Sequence, residues 1–260
     1  MSTHNSRPLV GASWGAVALS VALLTACSAS SVGNPAGGQP AAAESAPSAP
    51  VPPDCPNPDG GACLGALAAG EYQTRVFQPQ ITYAVPEGWM NYEDLPGNFW
   101  LFLEDDLAVQ TTPRGGSYLG IFTNIHAAAI DCREDWQAGV GNSPADLVAW
   151  FRSVPGLTVS EPVEVTVGGL AGLQIDLALE PGGGTCVFED VGGTPLIMGD
   201  GVSHLHHGIG GEMDVRLVFL ERGSGNVTLE ITNVREQHSA EEFRSALQPI
   251  IDSLEFAVSR

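Results

Sequence analysis

Apolar and polar residues alternate over five stretches of the chain, which is the pattern of half-buried β-strands. The first stretch, 81–85, ends at a Pro-Glu-Gly turn. The other four form two pairs, and a glycine-rich turn separates the members of each pair, so each pair predicts a hairpin. The predicted hairpins are 163–167 with 173–179 and 215–219 with 227–231, and short apolar runs add strands at 99–103 and 117–124.

Apolar residues at helical spacing predict two helices, each with a clear start signal. Ser143 is the expected N-cap of the first helix, with Pro144 in its first turn, and Pro155-Gly156 ends it. Ser239 and Glu242 form the capping box of the second. Strands with one central and one C-terminal helix predict an α+β fold, in which an antiparallel β-sheet is sandwiched by helices.

The first 26 residues have the pattern of an export signal. Arg7 is followed by the apolar run Leu9–Leu24 and then by small residues, which is typical of a secretory leader rather than of a fold. The four residues Leu24-Thr25-Ala26-Cys27 resemble a bacterial lipobox. The resemblance implies cleavage before Cys27 and attachment of lipid to its thiol, and two acyl chains are enough for stable anchoring.

Residues 27–62 are rich in Pro, Ala, Ser and Gly and contain almost nothing that can pack into a core. We therefore expect a disordered tether between the lipidated cysteine and one globular domain, residues 63–260.

Three segments of this domain resemble the PsbP/Mog1-like lipoproteins of actinobacteria, the group that includes the LpqN type. They are ITYAVPEGW (81–89), PADLVAWFRSVPGLTVSEPVEVTVGGLAG (144–172) and FRSALQPIIDSLEF (243–256). These segments consist of turns and core positions and carry no catalytic residues. The resemblance implies a binding or assembly module and names no ligand.

The charge of the chain limits its partners. It has 30 acidic residues against 10 basic ones, all of them arginine, and a net charge of −20. Nucleic acid is not an expected partner, because phosphate binding needs a basic patch. Electrostatic docking on an anionic membrane is also disfavoured, so we expect contact with the membrane through the lipid anchor only.

Four cysteines remain after Cys27, and an even number in an exported chain indicates two disulfides with three possible pairings. We favour Cys55 with Cys63, because the Pro/Asp/Gly-rich stretch between them can turn back on itself. This pairing leaves Cys132 for Cys186.

Three histidines lie within four positions, at His204, His206 and His207, and predict a loop that can bind Zn²⁺ or Cu²⁺. No other cofactor is expected. Among the tryptophans, Trp136 lies in the most polar surroundings and is the best candidate for an exposed recognition residue. The chain contains no G-x-S-x-G, H-E-x-x-H or P-loop motif, so no catalytic residue is assigned.

We expect an exported, lipid-anchored protein of the cell envelope whose domain binds a ligand or a partner without catalysis. Two alternatives stay open. One is an extracytoplasmic zinc- or copper-binding protein that uses the histidine loop, and the other is a small envelope hydrolase whose site is assembled from residues distant in sequence.

Lipidation is directly testable. The wild-type protein should incorporate a labelled fatty acid and enter the detergent phase, because the lipid supplies the membrane affinity. The substitution Cys27→Ala should abolish both. A wild-type protein that takes up no label contradicts the lipobox interpretation.

Overall fold

The computed structural model describes residues 65–106, 116–188, 191–199 and 206–257. The predictions on the signal, on Cys27, on the tether and on Cys55 and Cys63 lie outside these ranges. The described residues contain two α-helices, α1 (Pro144–Phe151) and α2 (Ala240–Ser253), and a 3-10 turn at Glu104–Asp106. In chain order the strands are β1 (Gly65–Leu67), β2 (Gly70–Gln73), β3 (Ile81–Val85), β4 (Trp89–Leu95), β5 (Asn98–Leu103), β6 (Tyr118–Thr123), β7 (His126–Ala127), β8 (Leu157–Val159), β9 (Val163–Val167), β10 (Leu170–Leu179), β11 (Cys186–Phe188), β12 (Val191–Met198), β13 (His206–Gly210), β14 (Met213–Arg222), β15 (Gly225–Val234) and β16 (Glu255–Phe256).

A nine-stranded antiparallel sheet, here called the main sheet, forms the centre of the fold. Its strand order is β1-β4-β5-β6-β15-β14-β10-β8, and β9 pairs with β10 on the same side as β8. The long hairpin β14–β15 lies in the middle, with ten paired positions from Met213–Val234 to Arg222–Gly225. Both predicted hairpins are therefore confirmed.

Two smaller sheets cover the main sheet together with the helices. One contains β2, β3 and β16, and the other contains β7, β11, β12 and β13. Alternate residues of β14 enter two separate hydrophobic cores, with Val218 and Leu220 in one and Leu217 and Phe219 in the other, which places these cores on opposite faces of the main sheet. We call these the α2 face and the α1 face, after the helix that each core contains.

The core of the α2 face joins the main sheet to α2 and to the β2-β3-β16 sheet. Its fully buried members include Leu229 from β15, Phe243 from α2 and Tyr83 from β3. The core of the α1 face joins Leu217 from β14 to Phe151 from α1 and Ile209 from β13. Helices thus supply only part of each cover, and the small sheets supply the rest, which modifies the predicted helical sandwich.

Both helix starts are confirmed in atomic detail. The Ser143 hydroxyl accepts a hydrogen bond from the backbone N–H of Asp146 at 3.2 Å, and Pro144 begins α1. Ser239 and Glu242 form the complete capping box of α2. These sequence signals predict the helix starts correctly because the capping side chains accept hydrogen bonds from backbone N–H groups that have no partner within the helix.

The predicted Cys132–Cys186 disulfide is present, with the two Cα atoms 5.5 Å apart. It connects the segment before α1 to strand β11. The histidine segment differs from the expected loop, because His206 and His207 begin β13 and pair with Met198 and Ile197 of β12.

Strands β10 and β14 approach so closely at Gly172 that no side chain fits there. A Cβ atom on Gly172 would lie 2.0 Å from the carbonyl oxygen of Phe219 and 2.8 Å from the Cα of Leu220. We expect Gly172→Ala to lower the free energy of unfolding by about 1–3 kcal/mol, since the strands must separate to relieve the overlap. Urea unfolding of the variant measures this loss.

The matched control is Gly211→Ala, because a Cβ there would meet nothing within 4 Å. An equal effect of the two substitutions contradicts the close approach.

Candidate functional site

Trp136, the aromatic residue predicted to take part in recognition, lies at the end of a short structured loop. We call residues 128–136 the Trp136 loop. The Trp136 side chain is 47% exposed, and its ring lies 4.2 Å from the ring of His126. A tryptophan held open to solvent offers a flat apolar surface with one polar N–H, which suits recognition of a partner.

Three kinds of contact fix the shape of the loop. Its ends are bridged at Ala128 and Trp136, and the N–H of Ala129 donates to the carbonyl oxygen of Asp135 at 2.9 Å. The loop is joined to β12 by the N–H of Ala128, which donates to the carbonyl oxygen of Leu196 at 2.9 Å. Its tip is tied to β11 by the disulfide of Cys132.

The surface of the loop is charged and solvated. Asp131 and Arg133 form an exposed ion pair at 2.7 Å, and the hydrogen bond from the Arg133 side chain lowers the pKa of Asp131. Glu134 and Asp135 are also exposed. The loop therefore presents an apolar ring beside charged groups at the protein surface.

A second cluster of polar residues lies buried on the α1 face. The carboxyl group of Glu230, on β15, is completely buried, and its Oε1 atom accepts hydrogen bonds from Tyr118 at 2.9 Å and Thr232 at 3.2 Å. Its Oε2 atom is hydrogen-bonded to Nδ1 of His207 on β13. We call Tyr118, His207, Glu230 and Thr232 the Glu230 cluster.

Aromatic rings surround the imidazole of His207. Trp100 and Phe122 both approach it edge-to-face with ring centroids 5.0 Å apart, and Tyr118 lies at 5.8 Å. Burial of Tyr118, with a smaller contribution from the Glu230 carboxylate, raises the pKa of its hydroxyl well above the ordinary value. Each oxygen of the Glu230 carboxyl group has a hydrogen-bond partner. Because one of these partners is His207, the cluster connects β13 to the main sheet.

The structure brings some of the predicted site residues together and leaves others apart. Cys132 and Cys186 are joined, and Trp136 is exposed as predicted. His207 is mostly buried, with its Nδ1 atom bonded to Glu230. His204 and the side chain of His206 lie outside the described residues, so the zinc or copper site stays a prediction. Within the described part of the chain, no group of three or more His, Cys, Asp or Glu residues is placed to hold a metal ion.

Glu230 and Tyr118 were not identified from the sequence. Glu230 lies between Leu229 and Ile231 in a strand whose alternation predicts a solvent-facing polar side. The only signal in the sequence was that Asn226, Thr228, Glu230 and Thr232 alternate with apolar residues and can all form hydrogen bonds.

Comparison with known proteins gives distant structural neighbours. A protein of Bacteroides thetaiotaomicron VPI-5482 is 14% identical over 69% of this chain with a TM-score of 0.30, and this chain spans only 46% of its length. The PsbP protein (CyanoP) of Synechocystis sp. PCC 6803 is 10% identical over 76% of this chain and 98% of its own, with a TM-score of 0.34. No family model and no curated protein matches the sequence. Similarity at this level assigns neither a family nor an activity to the chain.

No helix among the described residues is long and apolar enough to cross a membrane.

The Glu230 cluster makes a prediction for stability and its pH dependence. Tyr118→Phe removes one hydrogen bond to a buried carboxyl group and should lower the free energy of unfolding by about 1–3 kcal/mol at neutral pH. Because the folded-state pKa of Tyr118 is raised, its contribution is fully present below the unfolded pKa of about 10 and is lost as the pH rises further. Urea unfolding at neutral pH and above pH 10 should therefore show a shallower alkaline loss in the variant.

Tyr72→Phe is the control at neutral pH, because its hydroxyl donates to the carbonyl oxygen of Ala68 at an exposed site. Equal stability of wild type and Tyr118→Phe, with the same alkaline slope, excludes this role of the cluster.

Proposed function

We propose that the protein is exported, held at the extracytoplasmic face of the cell membrane by lipid on Cys27, and acts as a non-catalytic binding or assembly module. The leader and the lipobox-like residues support the location. Removal of residues 1–26 deletes one arginine and no acid, so the mature chain has a net charge of −21. A lipid anchor attaches such an acidic chain without any basic patch.

The exposed Trp136 ring is the observation that carries the proposed binding function. Its 47% exposure is combined with a backbone bridge, a disulfide and a ring contact with His126. A rigid aromatic surface loses little conformational entropy when it binds, so this loop is prepared for contact. The charged side chains of Arg133 and Glu134 can hydrogen-bond with a partner at its rim.

We further propose that the chain is one of the PsbP/Mog1-like lipoproteins of actinobacteria. The support is the position of the three similar segments. The first spans β3 and the turn at Gly88, the second runs from α1 through the β9–β10 hairpin, and the third covers most of α2 and reaches β16. These segments supply α1, most of α2, two strands of the β2-β3-β16 sheet and one edge of the main sheet.

The tether lets the domain reach partners away from the lipid. Residues 28–59 lie outside the described residues; on this proposal a flexible chain of that length would have an average span on the order of 30 Å. The Trp136 loop can then contact a component of the envelope while the protein stays attached to the membrane.

Substitution of Trp136 tests the binding surface. In intact cells, crosslinking of the full-length protein should capture a component that Trp136→Ala no longer captures, because an aromatic anchor at an interface is worth about 2 kcal/mol or more. Trp136→Phe keeps a flat aromatic ring and should retain most of the crosslink.

The unfolding midpoint of Trp136→Ala should stay close to that of the wild type, so that loss of the crosslink reports binding. An unchanged crosslinking pattern in Trp136→Ala removes the loop from the proposed function.

A further inference from the structure

We propose that the outer edge of β9 and the trough beside it form a second binding surface, which takes an extended basic segment of a partner protein as an added β-strand. This goes beyond the proposed function, because it uses neither the Trp136 loop nor any residue that contacts it.

The outer edge of β9 is open. Among the described residues β9 pairs only with β10, so one row of its backbone N–H and C=O groups has no strand beside it. The strand reads Val-Glu-Val-Thr-Val, and such β-branched residues favour pairing. Val163 is 53% exposed. Edges are commonly protected by lysine, proline or a bulge, and within β9 only Glu164 interrupts the apolar pattern with a charge.

A trough of about 510 Å³ runs along the α1 face beside this edge. Its floor is formed by Ala171 and Leu173 of β10, and Thr166 of β9 pairs with Ala171. Glu164 borders it at the edge, and Glu221 of β14 borders it on the inner side. The trough therefore has an apolar floor and a carboxylate on each side.

Among the described residues, these two carboxylates have no cation within ion-pair distance, unlike some other acidic groups of the surface. Asp176 and Asp214 are paired with Arg216 and Arg235 at 2.7 and 2.8 Å. In the part of the chain that the structure describes, Glu164 and Glu221 are both exposed and form no ion pair. A cationic side chain from outside would supply the missing partner.

The spacing of the strands fits an arginine or lysine on an added strand. Neighbouring strands lie about 4.8 Å apart, so the backbone of an added strand is about 14 Å from that of β14, with β9 and β10 between them. An extended arginine on the added strand lies over Thr166 and Ala171 and brings its charge toward the carboxylate of Glu221. Its apolar stem would lie on the small residues of the floor, which is how long basic side chains cover apolar surface.

The acidic charge of the domain favours a basic partner over a second copy of this chain as the occupant of the β9 edge. Two copies that paired through β9 would bring two strongly acidic domains together, each with Glu164 and Glu221 at the contact, at a cost in repulsion. A basic segment gains from the same charges. Pairing of an extended segment with an open sheet edge is a known mode of recognition, in which alternate side chains set the specificity.

Binding of a designed peptide to the full-length protein in detergent micelles tests the proposal. The probe is a short fluorescent peptide in which valine and arginine alternate, and the reference peptide has serine in place of arginine. The arginine peptide should bind more tightly, with an affinity that falls as salt is added. It should also slow amide hydrogen exchange at 163–167, because an added strand protects the open edge.

Three variants locate the contact. Glu221→Gln should weaken binding up to about fivefold, the range of one exposed ion pair. Ala171→Leu should weaken it further by filling the floor of the trough. Glu255→Gln removes the same charge from an exposed site on β16 and should leave the affinity unchanged.

Equal affinity of Glu221→Gln and Glu255→Gln, or no slowing of exchange in β9, overturns the proposal. A dimer of the protein alone that Val163→Arg dissociates overturns it in favour of a second copy. Trp136→Ala should bind the peptide like the wild type, so failure of this surface and failure of the Trp136 loop are separate results.

Discussion

The fold depends on burial of strand β15 on both sides. Every residue from Asn226 to Val234 is buried, although the apolar and polar positions alternate through most of this stretch. A strand that is buried on both sides needs a covering layer on each face of the sheet, and the two helices are too short to form both layers. The β2-β3-β16 sheet and the β7-β11-β12-β13 sheet complete these layers. The architecture therefore follows from the exclusion of solvent from both sides of β15.

Burial of the polar side of β15 requires hydrogen-bond partners in the interior, because an unpaired buried polar group is costly. Asn226 donates to the carbonyl oxygens of Ile125 and Asn142 at 3.0 and 2.8 Å, and Thr228 donates to Asn226 at 3.1 Å. Glu230 is satisfied by Tyr118, Thr232 and His207. The polar residues of this strand thus specify which segments can lie on the α1 face, since only segments with matching groups satisfy them.

The sequence predicts the elements of this fold better than their assembly. Caps, turns and hairpins act over a few residues, and the structure confirms them at Ser143, Ser239 and both glycine-rich turns. The cover over the α1 face involves pairing between distant segments, such as β7 with β12, and their glycine-rich, weakly periodic sequences give no signal for it. For the same reason the exposure of Trp136 was predictable from its polar neighbours, while the contact between His207 and Glu230, 23 residues apart, was not.

The buried cluster and the exposed loop are connected through β12. This strand pairs with β13, which carries His207, and with β7, which carries His126, whose ring contacts that of Trp136. It also pairs with β11, whose Cys186 holds the tip of the Trp136 loop through the disulfide. The bond between His207 and Glu230, together with the buried side chains of Ile197 and Ile209, attaches the small sheet to the main sheet, and the small sheet in turn holds the loop. An interior hydrogen bond therefore contributes to the position of a surface tryptophan, and on the proposed function the buried polar residues of β15 support recognition without contact with the partner.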